Sequence, residues 1–436
     1  MGEVCDIDGG FVITRSETIT IQAETKTSTV QELHLSNLDR YFSPMVRTVF
    51  CYKLPDDDKK GTEGVGRVIR EALAKVLVHF YPLAGNLTIS SEGKLVVNCT
   101  NRGVPFVEAV ADCDLDVLGD ITIPDTFVLS KLVYLDPDAK NMLEMPLLTA
   151  QVTRFKCGGF VIGMALNHCM ADGISAMQFV NSWSEIARGV SPTTLPYLDR
   201  SALSARKPPI ISYPHDKLLE SDCISTQSSQ GELVYKLFEF DQKKLARLKK
   251  IIMQDGSITN CTTFVALTAL IWRAKCKAYD TKQDQRAKLL IVVDGRSKLK
   301  NPPLPKNYFG NVIVLTSCLC NAGDLIEKPL SYAVQLVQDT IKTVDDEFIR
   351  SKIDYLEVTR EKFPSSTTLL VCSWTRLAFK EMDFGWGEPT QSGCVTLPEK
   401  EAAILFSGAG KSRTGITVLL GLPVSAMKSF QELMHI

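Results

Sequence analysis

A proline-rich, irregular stretch lies near the middle of the 436-residue chain and separates two halves. Five prolines occur between Ser191 and Gly231, and this stretch ends in a run of Ser, Thr and Gln. A segment this long without a periodic pattern is uncommon inside one compact domain. The chain is also long for a single hydrophobic core. We therefore predict an N-terminal domain over 1–190, a crossover linker over 191–231 and a C-terminal domain over 232–436.

Helical and strand patterns alternate in both halves. In the first half, apolar residues recur at helical spacing over Val68–Phe80. In the second half, a strand over Leu233–Phe238 precedes a charged helix over 241–253. A further helix from Thr262 through Trp272 precedes the apolar strand Leu289–Val293. Strands that alternate with helices predict an α/β fold.

The composition is that of an ordinary globular enzyme. Hydrophobic residues make up 45% and charged residues 23%, and the formal net charge is −1. Basic residues are scattered among acidic ones, which argues against a nucleic-acid partner. No apolar run is long enough to span a bilayer, and the N-terminus lacks the pattern of a signal peptide. We therefore expect a cytoplasmic protein without a membrane span.

Thirteen cysteines are spread along the chain, and none of them forms a C-x-x-C pair. The chain has five histidines, too few to complete a metal site with the cysteines at 318 and 320. This usage is typical of reduced, mostly buried thiols in a cytoplasmic protein. The sequence predicts no metal site.

One histidine follows the longest apolar run. Phe160–Leu166 has the length of a buried strand, and apolar residues recur at helical spacing over 174–183. His168 therefore lies on a loop between a strand and a helix, where side chains often reach a cleft. The H-x-x-x-D pattern from His168 to Asp172 is common by chance, and a His and an Asp on one helical face is the alternative. The setting after a buried strand favours a catalytic role.

Six short segments, taken together and in this order, resemble the plant BAHD acyltransferase family. They are Leu35–Asp39, Tyr81–Gly85, Asn167–Gly173, Asp294–Arg296, Tyr308–Asn311 and Asp383–Gly387. The resemblance covers essentially the whole chain. It implies two similar α/β domains akin to chloramphenicol acetyltransferase, each a mixed β-sheet with flanking helices. A long crossover loop joins them, and a solvent channel lies between them.

The resemblance also implies acyl transfer from acyl-CoA to an alcohol, with both substrates bound together and with no resident cofactor. His168 then acts as the general base that takes the proton of the acceptor. The tetrahedral oxyanion needs a preorganised donor. The indole N–H of Trp374 is the candidate, and a core tryptophan is the alternative.

Asp172 allows two interpretations. It forms a dyad with His168, or, as the family pattern implies, it turns away and pairs with Arg296 to hold the loop. We favour the second, in which Gly173 permits a tight backbone. Asp383 belongs to the second family signature, where two glycines surround aromatic residues. We interpret Asp383 as structural rather than catalytic.

A binding site for the CoA phosphates is expected at a helix N-terminus. The helix that begins near Thr262 and Thr263 presents free N–H groups, and Lys249, Lys250 and Ser257 lie near it in sequence. The alternative is an ordinary capped helix with a solvated charged face.

The resemblance is strongest to hydroxycinnamoyltransferases of long aliphatic alcohols. It rests on Ile353–Glu357, on the short stretch from there to Trp374, and on Glu388-Pro389. Transferases for shikimate carry a longer insert before this tryptophan, with an arginine that binds the carboxylate of shikimate. The stretch is short here, and the alternative is that Arg360 or Lys362 makes this contact instead. We expect a monomer that moves a feruloyl or caffeoyl group to an ω-hydroxy fatty acid or fatty alcohol, for suberin, cutin or wax. The alternatives are another alcohol or amine (a polyphenol, terpenoid or polyamine), or a non-catalytic paralog.

Overall fold

The computed structural model describes nine stretches of the chain: residues 4–7, 11–25, 30–42, 45–54, 61–215, 233–363, 368–395, 401–408 and 414–435. The chain divides into two compact units, and each unit is assembled from three segments. Unit 1 comprises Met1–Ser204, Leu304–Asn311 and Leu377–Leu397. Unit 2 comprises Ala205–Pro303, Val312–Arg376 and Pro398–Ile436.

The strands of the described residues are β1 (Val4–Ile7), β2 (Phe11–Arg15), β3 (Ile19–Ile21), β4 (Glu32–His34), β5 (Met45–Tyr52), β6 (Asn86–Ile89), β7 (Leu95–Asn98), β8 (Val104–Ala111), β9 (Leu148–Arg154), β10 (Phe160–Asn167), β11 (Leu233–Phe240), β12 (Arg286–Asp294), β13 (Ile313–Asn321), β14 (Leu369–Ser373), β15 (Gln391–Cys394), β16 (Ala402–Ser407) and β17 (Ile416–Pro423).

The α-helices of the same residues are α1 (Asn37–Tyr41), α2 (Val65–His79), α3 (Thr126–Ser130), α4 (Gly173–Ala187), α5 (Gln242–Met253), α6 (Thr263–Ala278), α7 (Ala322–Glu327), α8 (Leu330–Lys342), α9 (Asp346–Thr359) and α10 (Val424–Leu433). Short 3-10 turns lie at Tyr81–Ala84, Leu115–Leu118, Ser201–Leu203 and Phe379–Glu381.

The main sheet of unit 1 is mixed. Its order is β1-β2-β8-β9-β10-β5-β15, and β3 also pairs with β8. β8 runs parallel to β9, and the other pairs are antiparallel. All eight residues of β10 are buried, because this strand lies between β9 and β5 and has both faces covered. This position explains why its sequence is apolar from Phe160 to Leu166.

The main sheet of unit 2 is also mixed, in the order β11-β17-β16-β14-β12-β13. β14 runs parallel to both of its neighbours, β12 and β16, whereas the outer pairs are antiparallel. Parallel strands end at the same edge of a sheet. Residues that directly follow β12 and β14 therefore emerge at one edge of unit 2.

A segment of unit 2 without regular secondary structure, Arg206–Tyr213, is bound along α9; we call it the strap. Asp354 accepts hydrogen bonds from the main-chain N–H of Arg206 and Ile210, each at 2.8 Å, and from Nε of Arg206 at 2.6 Å. One turn earlier, Ser351 accepts from the N–H of Ser212 at 2.9 Å. Spacings of three and four residues place these acceptors on one face of the helix.

A second ion pair extends the same face of α9. Arg206 Nη1 lies 2.9 Å from Glu347, which also accepts from the hydroxyl of Ser212 at 2.7 Å. The strap thus satisfies its backbone donors with side chains of α9 instead of a sheet ladder.

The predicted elements match the structure closely, and the mixed α/β layering is confirmed in both units. The units themselves are not contiguous in sequence, whereas the predicted domains are. Leu304–Asn311 and Leu377–Leu397 belong to unit 1, partly because β15 pairs with β5. Of the predicted linker, 191–215 is described and 216–231 lies outside the described residues.

Candidate active site

The candidate base lies at the end of the central strand of unit 1. β10 ends at Asn167, a turn follows over His168–Asp172, and α4 begins at Gly173. We call these five residues the His168 turn. Asn167 stabilises it locally, because its side-chain oxygen accepts from the N–H of Cys169 at 3.1 Å and its carbonyl accepts from that of Met170 at 2.9 Å. The sequence prediction of strand, loop and helix is confirmed.

The imidazole of His168 is half-buried and stacks on Phe42, with ring centroids 4.8 Å apart. Among the described residues, its Nδ1 is buried and has no hydrogen-bond partner. Burial lowers the pKa of His168 below its ordinary value of about 6.5, although its own carbonyl and the nearby Asp172 act in the opposite direction. The ring is therefore neutral near pH 7 and able to accept a proton.

The neighbouring thiol has the opposite character. Cys169 is fully buried, and burial raises the pKa of its thiol well above the ordinary range. Because the thiolate is the nucleophilic form, this residue is poorly suited to carry an acyl group. The chemistry available in the turn is therefore that of a base and not of a covalent nucleophile.

Asp172 is the N-cap of α4, and its carboxylate accepts from the N–H of Ser175 at 3.1 Å. This capping role was not predicted, although an Asp just before a helical pattern is a standard start signal. The predicted pairing with Arg296 stays a prediction. For Gly173, the structure gives a reason based on space: a Cβ there would lie 2.9 Å from Cδ1 of Leu377.

A buried carboxylate of α1 lies behind the His168 turn. Asp39 is 0% exposed and forms a capping box with Ser36, which donates its N–H at 2.9 Å and its hydroxyl at 2.7 Å. The other carboxylate oxygen accepts from Asn311, through the main-chain N–H at 2.8 Å and the side-chain amide at 3.0 Å.

Asn311 and Arg200 connect this carboxylate to the turn. The amide of Asn311 also donates to the carbonyl of His168 at 2.8 Å. Nε of Arg200 lies 3.5 Å from Asp39, while Nη2 donates to the carbonyl of Met170 at 3.1 Å. The Arg200 side chain is only 3% exposed.

Two aromatic rings and a glycine pack closely against the Arg200 side chain. Its guanidinium lies over the rings of Tyr308 and Phe309, 5.4 and 5.8 Å from their centroids. Gly310 is required for space, since a Cβ there would clash with Nη1 of Arg200. Arg200 is therefore enclosed by one short segment of unit 1.

Asp383 closes a tight turn elsewhere in unit 1. Its carboxylate accepts from the N–H of Gly385 at 2.7 Å and from that of Gly387 at 2.9 Å. Both glycines have positive φ, a conformation that other residues rarely adopt. Phe384 packs edge-on against Trp183, with ring centroids 5.3 Å apart. These contacts support the structural role predicted for Asp383.

Two of the predicted residues lie in unit 2. Arg296 follows β12 and Trp374 follows β14, so both emerge at the same edge of its sheet. Arg296 donates to Asp294 at 3.1 Å. The half-buried Trp374 donates its main-chain N–H to Leu405 at 2.8 Å, and its ring meets Phe406 edge-on. Ligands of open α/β sheets commonly bind at such an edge.

Thr262 caps α6, because its hydroxyl accepts from the N–H of Val265 at 3.2 Å. Thr263 is the first residue of this 16-residue helix. Ser257 bonds to Asp255 at 2.8 Å. The predicted phosphate-binding role of this helix N-terminus stays a prediction.

Sequence reasoning missed the partners of the His168 turn. Asp39 and Asn311 appeared only as members of family segments, without a role, and Arg200 was not considered. Ser36 and Asp39 have the spacing of a capping box, which is a readable signal for the helix start. Nothing local indicates that Arg200 is buried, since it follows the prolines of an irregular stretch.

Within the described residues, no helix has both the length and the apolar character needed to cross a membrane. Those residues also contain no group of three or more His, Cys, Asp or Glu side chains that could hold a metal ion.

A model of the transferase family matches residues 11–436. The omega-hydroxypalmitate O-feruloyl transferase of Arabidopsis thaliana is 52% identical over 404 residues, which cover 91% of this chain and 87% of the relative. The fatty alcohol:caffeoyl-CoA acyltransferase of the same plant is 47% identical over 434 residues, or 98% of this chain and 99% of the relative.

The crystal structure of vinorine synthase is similar to the whole molecule. Its TM-score is 0.73 at 25% sequence identity, and the match covers 96% of each chain. The predicted two-domain α/β fold is thereby confirmed.

Proposed function

Because the chain belongs to the BAHD family of acyl-CoA-dependent acyltransferases, we propose that it acylates long aliphatic hydroxyls. The donor is feruloyl-CoA or caffeoyl-CoA, and the acceptor is an ω-hydroxy fatty acid or a fatty alcohol. The observation that carries this choice is the pair of relatives at 52% and 47% identity, whose names give these donors and acceptors. The esters would serve as building blocks of suberin, cutin or wax.

His168 is the general base of this reaction. Its neutral imidazole takes the proton of the acceptor hydroxyl while the hydroxyl oxygen attacks the thioester carbonyl carbon. The C–O bond forms, a tetrahedral oxyanion collapses, and the C–S bond breaks. The imidazolium returns the proton to the departing CoA thiolate. The buried thiol of Cys169 supports direct transfer without an acyl-enzyme, so holding both substrates together supplies much of the acceleration.

Residues of unit 2 have two further roles in the proposed reaction. The indole N–H of Trp374 donates to the oxyanion, and the N-terminus of α6 at Thr262 and Thr263 receives a CoA phosphate. The acceptor assignment also uses the short stretch before Trp374, of which residues 364–367 lie outside the described residues.

Thiol release tests the reaction directly. With feruloyl-CoA and ω-hydroxypalmitate, CoA should appear only when both substrates are present, and His168→Ala should lower kcat at least about 10³-fold. Incubation without acceptor is the control for hydrolysis. Release with shikimate but not with aliphatic alcohols would overturn the acceptor assignment. No release with any alcohol or amine would indicate a non-catalytic paralog.

The pH dependence tests the role of the base. Only neutral His168 accepts a proton, so kcat/KM should fall about tenfold per pH unit below the pKa of the free enzyme. Because burial lowers that pKa, the midpoint of the acid limb should lie below about 6.5. An acid limb with a midpoint above this value contradicts the assignment.

We also propose that the protein acts as a cytoplasmic monomer without a resident cofactor, with acyl-CoA as co-substrate. Light scattering after gel filtration should give the mass of one chain. Dialysis against a chelator should leave the rate unchanged.

A further inference from the structure

The His168 turn has two main-chain carbonyls that accept hydrogen bonds from distant side chains. Asn311 binds the carbonyl of His168, and Arg200 binds that of Met170, two residues later. Both donors are in turn bound by Asp39. One carboxylate therefore lies beside two donors, and these donors bind the first and the third residue of the same short turn.

Binding two carbonyls through a buried ion pair carries a desolvation penalty. Asp39 and Arg200 are almost completely withdrawn from water, at 0% and 3% exposure. Burying such a pair carries a desolvation penalty that its own attraction often fails to exceed. Well-packed apolar residues would hold a loop at least as stably. A buried pair instead fixes geometry, because Asn311 and Arg200 keep their bonds only in one orientation.

The position of the turn makes geometry important. A general base must lie within hydrogen-bond reach of the proton that it removes, and small displacements lower the rate strongly. The imidazole and the carbonyl that Asn311 binds belong to the same residue, His168. A shift of that peptide would move the ring.

We propose that Asp39, Asn311 and Arg200, here called the Asp39 network, are positioning residues that hold the His168 turn in the geometry needed for proton transfer. The proposal rests on the proposed function of His168 as the base. Arg200 acts through the main chain of the turn, and Asn311 acts through the carbonyl of His168 and through its side chain beside the imidazole.

The decisive variant is Asn311→Leu, which keeps the shape of the side chain and removes its donor. Its matched control is Thr62→Val, which removes a buried hydrogen bond of Thr62 to the carbonyl of Gly158, 2.9 Å in length, at another place in unit 1. Asn311→Leu should lower Tm more than Thr62→Val, because it removes two hydrogen bonds, one of them to a buried carboxylate. Asn311→Leu should lower kcat about 10- to 100-fold with little change in KM, whereas Thr62→Val should keep kcat within threefold. Calorimetric stoichiometry of CoA binding near one per chain excludes a misfolded fraction.

Arg200→Lys provides a second variant in case the first fails to fold. It keeps the positive charge beside Asp39 but lacks the planar fork that reaches Met170. A kcat reduced at least fivefold with near-normal KM supports the network. If both variants keep kcat within threefold of Thr62→Val, the network is merely structural and the proposal is overturned.

A spectroscopic readout separates this proposal from the proposed reaction. The imidazole Cε1–H signal of His168, assigned by its loss in His168→Ala, should move or broaden in Asn311→Leu and stay unchanged in Thr62→Val. If the native protein releases no CoA with any acceptor, the proposed function fails, while this signal still decides whether the network positions the ring. An unchanged signal overturns the network even if the reaction is established.

Discussion

Two buried aspartates organise irregular backbone, one in each unit, and they do so in different ways. In unit 2, Asp354 accepts directly from the main-chain N–H groups of the strap. In unit 1, Asp39 binds the side chains of Asn311 and Arg200, which then donate to the carbonyls of the His168 turn. The strap is bound directly by the carboxylate, whereas the turn is bound by side chains that themselves contact the carboxylate, Asn311 by a hydrogen bond and Arg200 by an ion pair.

The basic partners also differ. The side chain of Arg200 is 3% exposed, whereas that of Arg206, which pairs with Asp354, is 27% exposed. Removing the partner of a charged group destabilises the protein less when water can still reach that group than when the group is fully buried. Loss of the aspartate should therefore cost more in the region whose arginine is more deeply buried.

The largest effect is expected for Asp39→Ala. This change leaves Arg200 buried without a counter-charge, so the free energy of unfolding should fall by about 3–5 kcal/mol. Urea denaturation of the variant measures it. The double variant Asp39→Ala/Arg200→Met should recover part of the loss, because the unpaired charge is removed. A loss no larger than that of Asp354→Ala would show that the burial of the arginine does not set the size of the effect.

Asp354→Ala should have a smaller effect, about 1–3 kcal/mol, because Arg206 can gain water. The loss should be local, and the strap should become open to trypsin at the Arg206–Lys207 bond. Limited digestion followed by mass spectrometry measures this. Asp346→Ala is the matched control, since Asp346 also lies on α9 and accepts from the N–H of Lys300 at 2.6 Å, outside the strap. Equal cleavage of both variants would contradict a specific role of Asp354.

Asp383→Ala should cost about 1 kcal/mol, similar to the loss of a helix cap, since it removes an acceptor for the N–H of Gly385 and Gly387. This aspartate resembles Asp354 in binding N–H groups directly, but its turn is half-buried. The acid limb of kcat/KM should be unchanged. Normal stability together with a lost acid limb would show that Asp383 acts on the proton instead.

The smallest effect concerns Glu347, a partly exposed acid of α9 that binds the strap. Arg206, followed by Ser212, holds the pKa of Glu347 below its ordinary value of about 4.5. Its contribution is therefore complete above pH 4.5 and is lost as the pH falls through the lower folded-state pKa. Because the pair is partly exposed, Glu347→Gln should cost only about 0.2–1 kcal/mol. The Tm difference from the native protein should shrink below pH 4.5, and a constant difference would exclude the carboxylate as its cause.

Much of the fold and the centre of the site could be predicted, because their signals are local. The apolar run of β10, the following histidine and the helical spacing of α4 lie within one short stretch. Periodicity is sufficient to place His168 between them. The cap formed by Asp172 has a signal in the same stretch, an Asp directly before a helical pattern.

The Asp39 network could not be predicted in the same way. Asp39 and Asn311 are 272 residues apart, and His168 and Asn311 are 143 apart. A single sequence contains no periodic signal for such contacts. The strap is a similar case, because Arg206 and Asp354 are 148 residues apart. Contacts between an irregular segment and residues far away in the sequence could therefore not be predicted for this molecule.

The segmented composition of unit 1 has a consequence for the order in which the protein can be made. Synthesis proceeds from the N-terminus, and domains generally fold as units while the chain emerges. When Ser204 has been added, the His168 turn exists, but Asn311 and the edge strand β15 do not. The carboxylate of Asp39 then still lacks its amide partner. Unit 1 can therefore be completed only after most of unit 2 has been synthesised.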